Sequence, residues 1–166
     1  MKRIVLSSVL AFALTLSLGL NSCKPEKKEL GPRVSQIDGI SGNWILNRVA
    51  QIDVNVELAF VESDTLLDVS SVYIAGQPME IEFQKDGTYT VASGAGANLF
   101  GPATGTWKFD NNEYPSYLIF NEGTSDETTI NLLSPVRPQD PNLAIKVNKI
   151  CNGERTVSYH LWYNRK

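Results

Sequence analysis

Glu80 and Glu82 are the first pair of residues in this 166-residue chain whose spacing could do chemistry. Two residues apart on one strand face, their carboxylates would stand about 7 Å from each other. That is within the separation an inverting glycosidase uses. The residues between them argue otherwise. Met79, Ile81 and Phe83 alternate with the glutamates, so if the apolar side chains turn inward, both carboxylates face water. His160 is the only histidine. With Val157, Tyr159, Leu161 and Tyr163 inward, His160 and Trp162 face out. One histidine without a cysteine or acidic cluster makes a poor metal centre, and without a nucleophile beside it a poor general base. No G-x-S-x-G, zinc or phosphate-loop motif occurs in the chain. The chain therefore reads as non-enzymatic, with no cofactor and no metal.

The cysteines are Cys23 and Cys151. Cys23 closes a segment that starts with basic Lys2 and Arg3 and runs uncharged from Ile4 to Leu20. Such a run fits the apolar part of a signal peptide better than a membrane span. Its end, Leu20-Asn21-Ser22-Cys23, resembles the lipobox of bacterial lipoproteins. The resemblance implies cleavage before Cys23, diacylglycerol on its sulfur and, usually, acylation of the new amino terminus. Several acyl chains exceed what stable anchoring needs, since each buried methylene contributes roughly 0.8 kcal/mol. Residues 1–22 are then a signal peptide and 23–38 a lipidated tether, with residues 39–166 left for the domain. The tether's Lys, Glu, Pro and Gly cannot bury enough surface to offset ordering; as a coil it would span roughly 20 Å. Lys24 directly after the cysteine points, by the same resemblance, to the outer membrane. Whether the domain faces periplasm or exterior stays open. With Cys23 lipidated, Cys151 has no partner, and the expectation is a free thiol or a small buried hydrophobe.

Composition narrows the partners. Without Lys2 and Arg3, the 15 basic residues become 13 against 18 acidic ones, a formal charge of −5. No basic stripe or cluster suggests nucleic acid. The domain is long enough for one substantial core.

The domain reads as β throughout. Apolar residues alternate between turn signals, giving strands near 43–54, 78–85, 87–92, 104–109, 116–121, 127–133, 143–149 and 155–163. Asp86-Gly87 and Asn152-Gly153 are hairpin turns. Residues 66–73 read as one or two helical turns, with Asp64 a possible cap, crossing one end of the sheet. Eight antiparallel strands joined mainly by short turns predict an up-and-down barrel, which leaves no free edge; a β-sandwich is the alternative.

Gly42-Asn43-Trp44 opens the first strand as the G-x-W signature does in lipocalin-like barrels. "IEFQKDGTYTV", a glycine-rich loop, "GTWKFD" and "YPSYLIF" follow in order. The order resembles a lipocalin-like domain of unknown function common in Bacteroides-group lipoproteins. The resemblance spans about residues 38–164 and implies a small eight-stranded barrel without assigned catalytic residues. Lipocalins proper also carry a late basic residue packed over the first-strand tryptophan; here Arg155 or Arg165 could take that place.

An eight-stranded barrel is either just filled by side chains or able to hold one small ligand. The inward set runs from Trp44, Met79, Ile81 and Phe83 through Trp107, Phe109, Leu118 and Phe120 to Ile130, Leu132, Ile145, Val147, Tyr159 and Leu161. These are large and should fill the Trp44 end. The loop Val91–Gly105, with four glycines, reads as flexible, with Leu99 and Phe100 as exposed tips at a less crowded mouth. Tyr159 and Tyr163 would add hydroxyls there, making a shallow apolar cup. The stiff loop Ser134–Asn142, with exposed Arg137 and Asp140, could meet a partner. The expected function is binding of a small apolar or amphipathic molecule, a glycan or an envelope protein. The alternative is an accessory subunit whose barrel is filled.

Overall fold

A computed structural model describes residues 34–53, 66–92 and 94–166. The expected signal peptide, Cys23, most of the tether and Asp64 lie outside the described residues, as do the side chains of Asp53 and Cys151.

Short helix α1 (Gln36–Ile40) leads into β1 (Gly42–Asp53), β2 (Leu67–Asp68), helical turn α2 (Ser70–Tyr73), β3 (Glu80–Phe83) and β4 (Thr88–Ala92). Helical turn α3 (Ala97–Phe100) is followed by β5 (Thr104–Phe109), β6 (Tyr117–Phe120), β7 (Thr128–Leu132), β8 (Asn142–Cys151) and β9 (Glu154–Arg165). From β3 to β9 each strand pairs antiparallel with the next in sequence. The ring closes where β1 pairs β9 from Trp44↔Arg165 to Asp53↔Val157, with a bulge between Leu46 and Arg48. The other edge of β1 takes β3 along Gly42–Ile45 and β2 at Ala50–Gln51. The molecule is therefore all-β with a closed eight-stranded antiparallel barrel of lipocalin-like form, and the two-residue β2 only lengthens one edge. The expected sandwich alternative falls away because β1 is paired on both sides.

The turns have the chemistry their sequences promised. Asn152 and Gly153 both hold positive φ, 54° and 83°, the left-handed pair that matches strand twist in a two-residue hairpin. In the β3–β4 turn, Asp86 Oδ1 accepts the Thr88 amide at 2.9 Å. The 66–73 stretch does form a single helical turn. No side chain caps it at Val69; just ahead of it Asp68 makes a tight turn, its Oδ1 accepting the Ser70 amide at 2.9 Å. Ser70 Oγ in turn accepts from the Val49 amide at 2.9 Å and donates to the Val49 carbonyl at 3.3 Å. The Val49 carbonyl also accepts the Val69 amide at 3.0 Å, so Ser70 supplies the acceptor for the Val49 amide and a second donor to its carbonyl.

The Trp44 end is closed by α1, which begins inside the stretch whose composition reads as tether. Ser35 Oγ caps it, accepting the Asp38 amide at 3.3 Å. The Trp44 indole donates to the Ile40 carbonyl at 2.7 Å. Arg165, and not Arg155, lies over the Trp44 ring, its guanidinium carbon 4.4 Å from the centroid. The same guanidinium donates to the Ser41 carbonyl at 2.8 Å and to the Gly39 carbonyl. One planar cation therefore fastens the last strand to the first helix and the first strand.

The opposite half of the barrel departs from expectation. Leu99 and Phe100 are each 4 % exposed, so they are core residues and not loop tips. The Phe100 ring stands 4.8 Å from that of Phe120, edge to face, and Phe120 meets Tyr89 at 5.0 Å. Phe83 and Trp107 extend the cluster at 5.4 Å. Such edge-to-face pairs stabilise beyond their buried area. The glycines that suggested flexibility serve close approach instead. A Cβ on Gly94 would come within 2.7–2.9 Å of Met79 and Gln77 backbone atoms, and one on Gly105 within 1.9 Å of Asn121 Oδ1. The loop folds into the barrel because it lacks side chains where it crosses the wall. Lys149 Nζ fixes α3 there by donating to the carbonyls of Asn98 and Leu99 at 3.2 and 3.3 Å.

Candidate functional site

The four side chains expected around a barrel mouth lie in or against the core. Leu99 and Phe100 plug the interior. Tyr163 is fully buried, its hydroxyl 3.8 Å from Met79 Sδ, and burial pushes its phenol well above the ordinary value. Tyr159 is half-buried against Tyr73, ring centroids 5.8 Å apart; hydrogen bonding with Tyr73, then burial, raises its phenol. Leu99, Phe100 and Tyr163 thus belong to the hydrophobic core, and Tyr159 packs against it.

The acids and histidine stand as the alternation implied. Glu80 is tied to Lys166 Nζ at 3.0 Å, and Glu82 is exposed. His160 lies on the outer face beside Trp162, ring centroids 5.8 Å apart, and Arg48 covers Trp162 at 4.8 Å. Among the described residues no three His, Cys, Asp or Glu side chains gather where they could hold a metal ion.

Concavity occurs elsewhere. At the α1 end, the β5–β6 loop and the β7–β8 loop stand side by side and enclose an open cleft of about 360 Å³. Tyr114, Pro115, Leu133 and Pro135 give it apolar walls, and Gln36, Glu113, Ser116 and Ser134 give it polar groups. Val136, 3 % exposed, roots the second loop in the core. The first loop is shaped by the Asp110-Asn111 turn. Asp110 Oδ1 accepts the amides of Ser116 and Tyr117 at 2.9 and 3.0 Å. Asn111 Oδ1 accepts those of Glu113 and Tyr114 at 2.8 and 3.3 Å. The Leu132 amide then donates to the Ser116 carbonyl at 2.9 Å, joining the two loops. Side chains with few rotamers, on loops already pinned, lose little entropy when they meet a surface. Chemically the cleft offers contact area, hydroxyl and amide hydrogen bonds and one carboxylate. None of its lining residues is a histidine or cysteine that could activate a serine.

Composition alone did not single out this cleft. The proline-rich loop Ser134–Asn142, expected to meet a partner, supplies one wall; the signal for the other was an aromatic–proline pair, Tyr114-Pro115, directly after a polar turn. Tyr114 and Leu133 are 19 residues apart in sequence and are brought together by the pairing of β6 with β7.

Asp110 gives this loop a testable pH response. Desolvation works to raise its pKa, but amides of Tyr117, Ser116 and Asn111 bring it below the ordinary carboxylate value. A carboxylate depressed on folding stabilises fully above its unfolded pKa and loses that contribution as pH falls through the folded one. The loop should thus hold its form into acid below the usual Asp range. Asp110→Ala should speed amide exchange at Ser116 and Tyr117 at neutral pH while the barrel amides stay protected. Unchanged exchange at both positions would show that the turn does not need this carboxylate.

No curated protein and no solved structure matches the chain. A family model does, from Lys24, the residue after Cys23, to Val136, before β8 and β9 complete the ring. That match takes in more than half of the chain and both loops of the cleft as far as Val136, so the protein belongs to the family described as Domain of unknown function (DUF5004).

Proposed function

We propose that this protein is a lipid-anchored lipoprotein of the bacterial outer membrane, acting without catalysis through its surface while its barrel serves as a solid scaffold. The observation that carries the surface role is the packed interior. Tyr89, Phe100, Phe120 and Tyr163 occupy the space a calyx would need, whereas the open cleft lies at the end where α1 begins. A filled barrel favours an accessory subunit that meets an envelope partner over one that carries a small molecule inside. The anchor is supported by the order of basic start, apolar run, small residue and Cys23. Lys24 supports the outer membrane.

Native mass spectrometry of protein purified from its host tests the scaffold. The expected species is the chain from Cys23 with its acyl chains and no further molecule bound one-to-one. A stoichiometric small molecule that survives washing and is lost on unfolding would overturn it.

A further inference from the structure

We infer that the cleft end of the barrel is a second contact with the membrane, lying against the headgroup layer of the bilayer that holds the lipid on Cys23. The inference rests on the proposed anchor. It follows from where the chain leaves the domain and from the side chains that end presents; Leu67, Val72 and Ile150, 62, 63 and 66 % exposed, lie toward the opposite end, farther from that exit. At the α1 end, Val34, Tyr114, Tyr117 and Leu133 are 53, 72, 40 and 41 % exposed. Tyr114 and Leu133 line the cleft, and Tyr117 begins the strand after its first loop.

Only eleven residues, Cys23 to Arg33, separate the expected lipid from Val34. Fully extended they reach at most about 40 Å; as a coil they span on the order of 18 Å. A domain of this size is roughly 35 Å across. A coil span shorter than the domain is wide keeps the α1 end nearer the bilayer than the opposite end. That segment also carries Lys24, Lys27, Lys28 and Arg33 against Glu26 and Glu29, a charge excess suited to lipid phosphates.

The side chains suit the layer they would meet. Tyrosine, with an apolar ring and a polar tip, favours the membrane–water boundary, and Leu133 can reach the acyl edge. Gln36, Ser116 and Ser134 in the cleft can hydrogen-bond phosphate or glycerol oxygens. Asp110 and Asn111 already hold the loop, so contact requires no refolding.

Depth-dependent quenching tests this in the full lipidated protein, reconstituted in phosphatidylcholine–phosphatidylethanolamine vesicles containing nitroxide-labelled lipid. With Cys151→Ser as background, a fluorophore goes on Tyr114→Cys or, as control, on Ser125→Cys in the exposed β6–β7 loop at the opposite end. The expected result is several-fold stronger quenching at position 114 than at 125. Leu133→Asp, added to the Tyr114→Cys protein, should reduce it. Mass analysis of the same samples reads acylation of Cys23. Equal quenching at both positions on an acylated chain would overturn the membrane contact and leave the anchor standing, assigning the cleft to a protein or glycan instead. An unacylated Cys23, itself open to thiol labelling, would overturn both.

Discussion

Trp44→Ala should lower the stability of the barrel by about 3–5 kcal/mol, the cost of emptying a large aromatic site in a packed core. For a domain of this length that corresponds to a fall in Tm of roughly 10–20 °C. Trp44 is 1 % exposed, hydrogen-bonded through its indole to Ile40, and covered by Arg165. Its loss would leave the guanidinium without its ring and α1 without the donor that fixes it. Arg165→Ala should cost less, about 2–4 kcal/mol, through a lost cation–π contact and two carbonyls left without a charged donor. Arg165→Lys should not restore the difference, because an ammonium cannot serve the ring face and the Ser41 and Gly39 carbonyls together as a planar fork does. Urea unfolding of the two single variants and the double variant gives the decisive number. A coupling above about 1 kcal/mol is expected for residues that act as one closure. Additive effects would mean that Trp44 is only core volume and that Arg165 holds the ends independently.

The position of this closure shows what was legible in the sequence and what was not. Alternation along Met79–Phe83, the Asp86-Gly87 and Asn152-Gly153 turns and the Gly42-Asn43-Trp44 opening each encode local geometry, and the strands form where those signals lie. The arginine over Trp44 could not be chosen from sequence, because Arg155 and Arg165 both lie on the last strand. Only the β1–β9 register, with Trp44 opposite Arg165, decides it. The loop at 91–105 failed for a different reason. Glycine permits a mobile loop and also permits backbone to press against backbone, and composition cannot separate the two. Gly94 and Gly105 take the second use, and Leu99 and Phe100 turn inward where exposed tips were expected. The cleft was hidden for a third reason, since its walls come from loops whose adjacency is a property of strand order and not of either segment.

Cys23→Ser should move the protein from the membrane fraction to the soluble one, or leave the precursor uncleaved, with the barrel still folded. The expected change is close to all-or-none. Each acyl methylene withdrawn from water contributes about 0.8 kcal/mol, so two or more long chains hold a protein far beyond the marginal grip of one. Neither the barrel's closure nor its core draws on residue 23, because β1 and β9 close the ring and α1 starts at Gln36. The side chains inferred to touch the headgroups are too few to substitute. Val34, Tyr114, Tyr117 and Leu133 would enter the boundary only in part, and even complete burial gives about 1.5–3 kcal/mol for one apolar side chain. The contact orients a protein already tethered; it does not recruit one from dilute solution. Growth with a radioactive fatty acid followed by fractionation checks this directly. Label on the wild-type chain and none on the Cys23→Ser chain is the expected pattern. Label retained by the variant would place the lipid elsewhere and remove the short connection on which the orientation of the cleft depends.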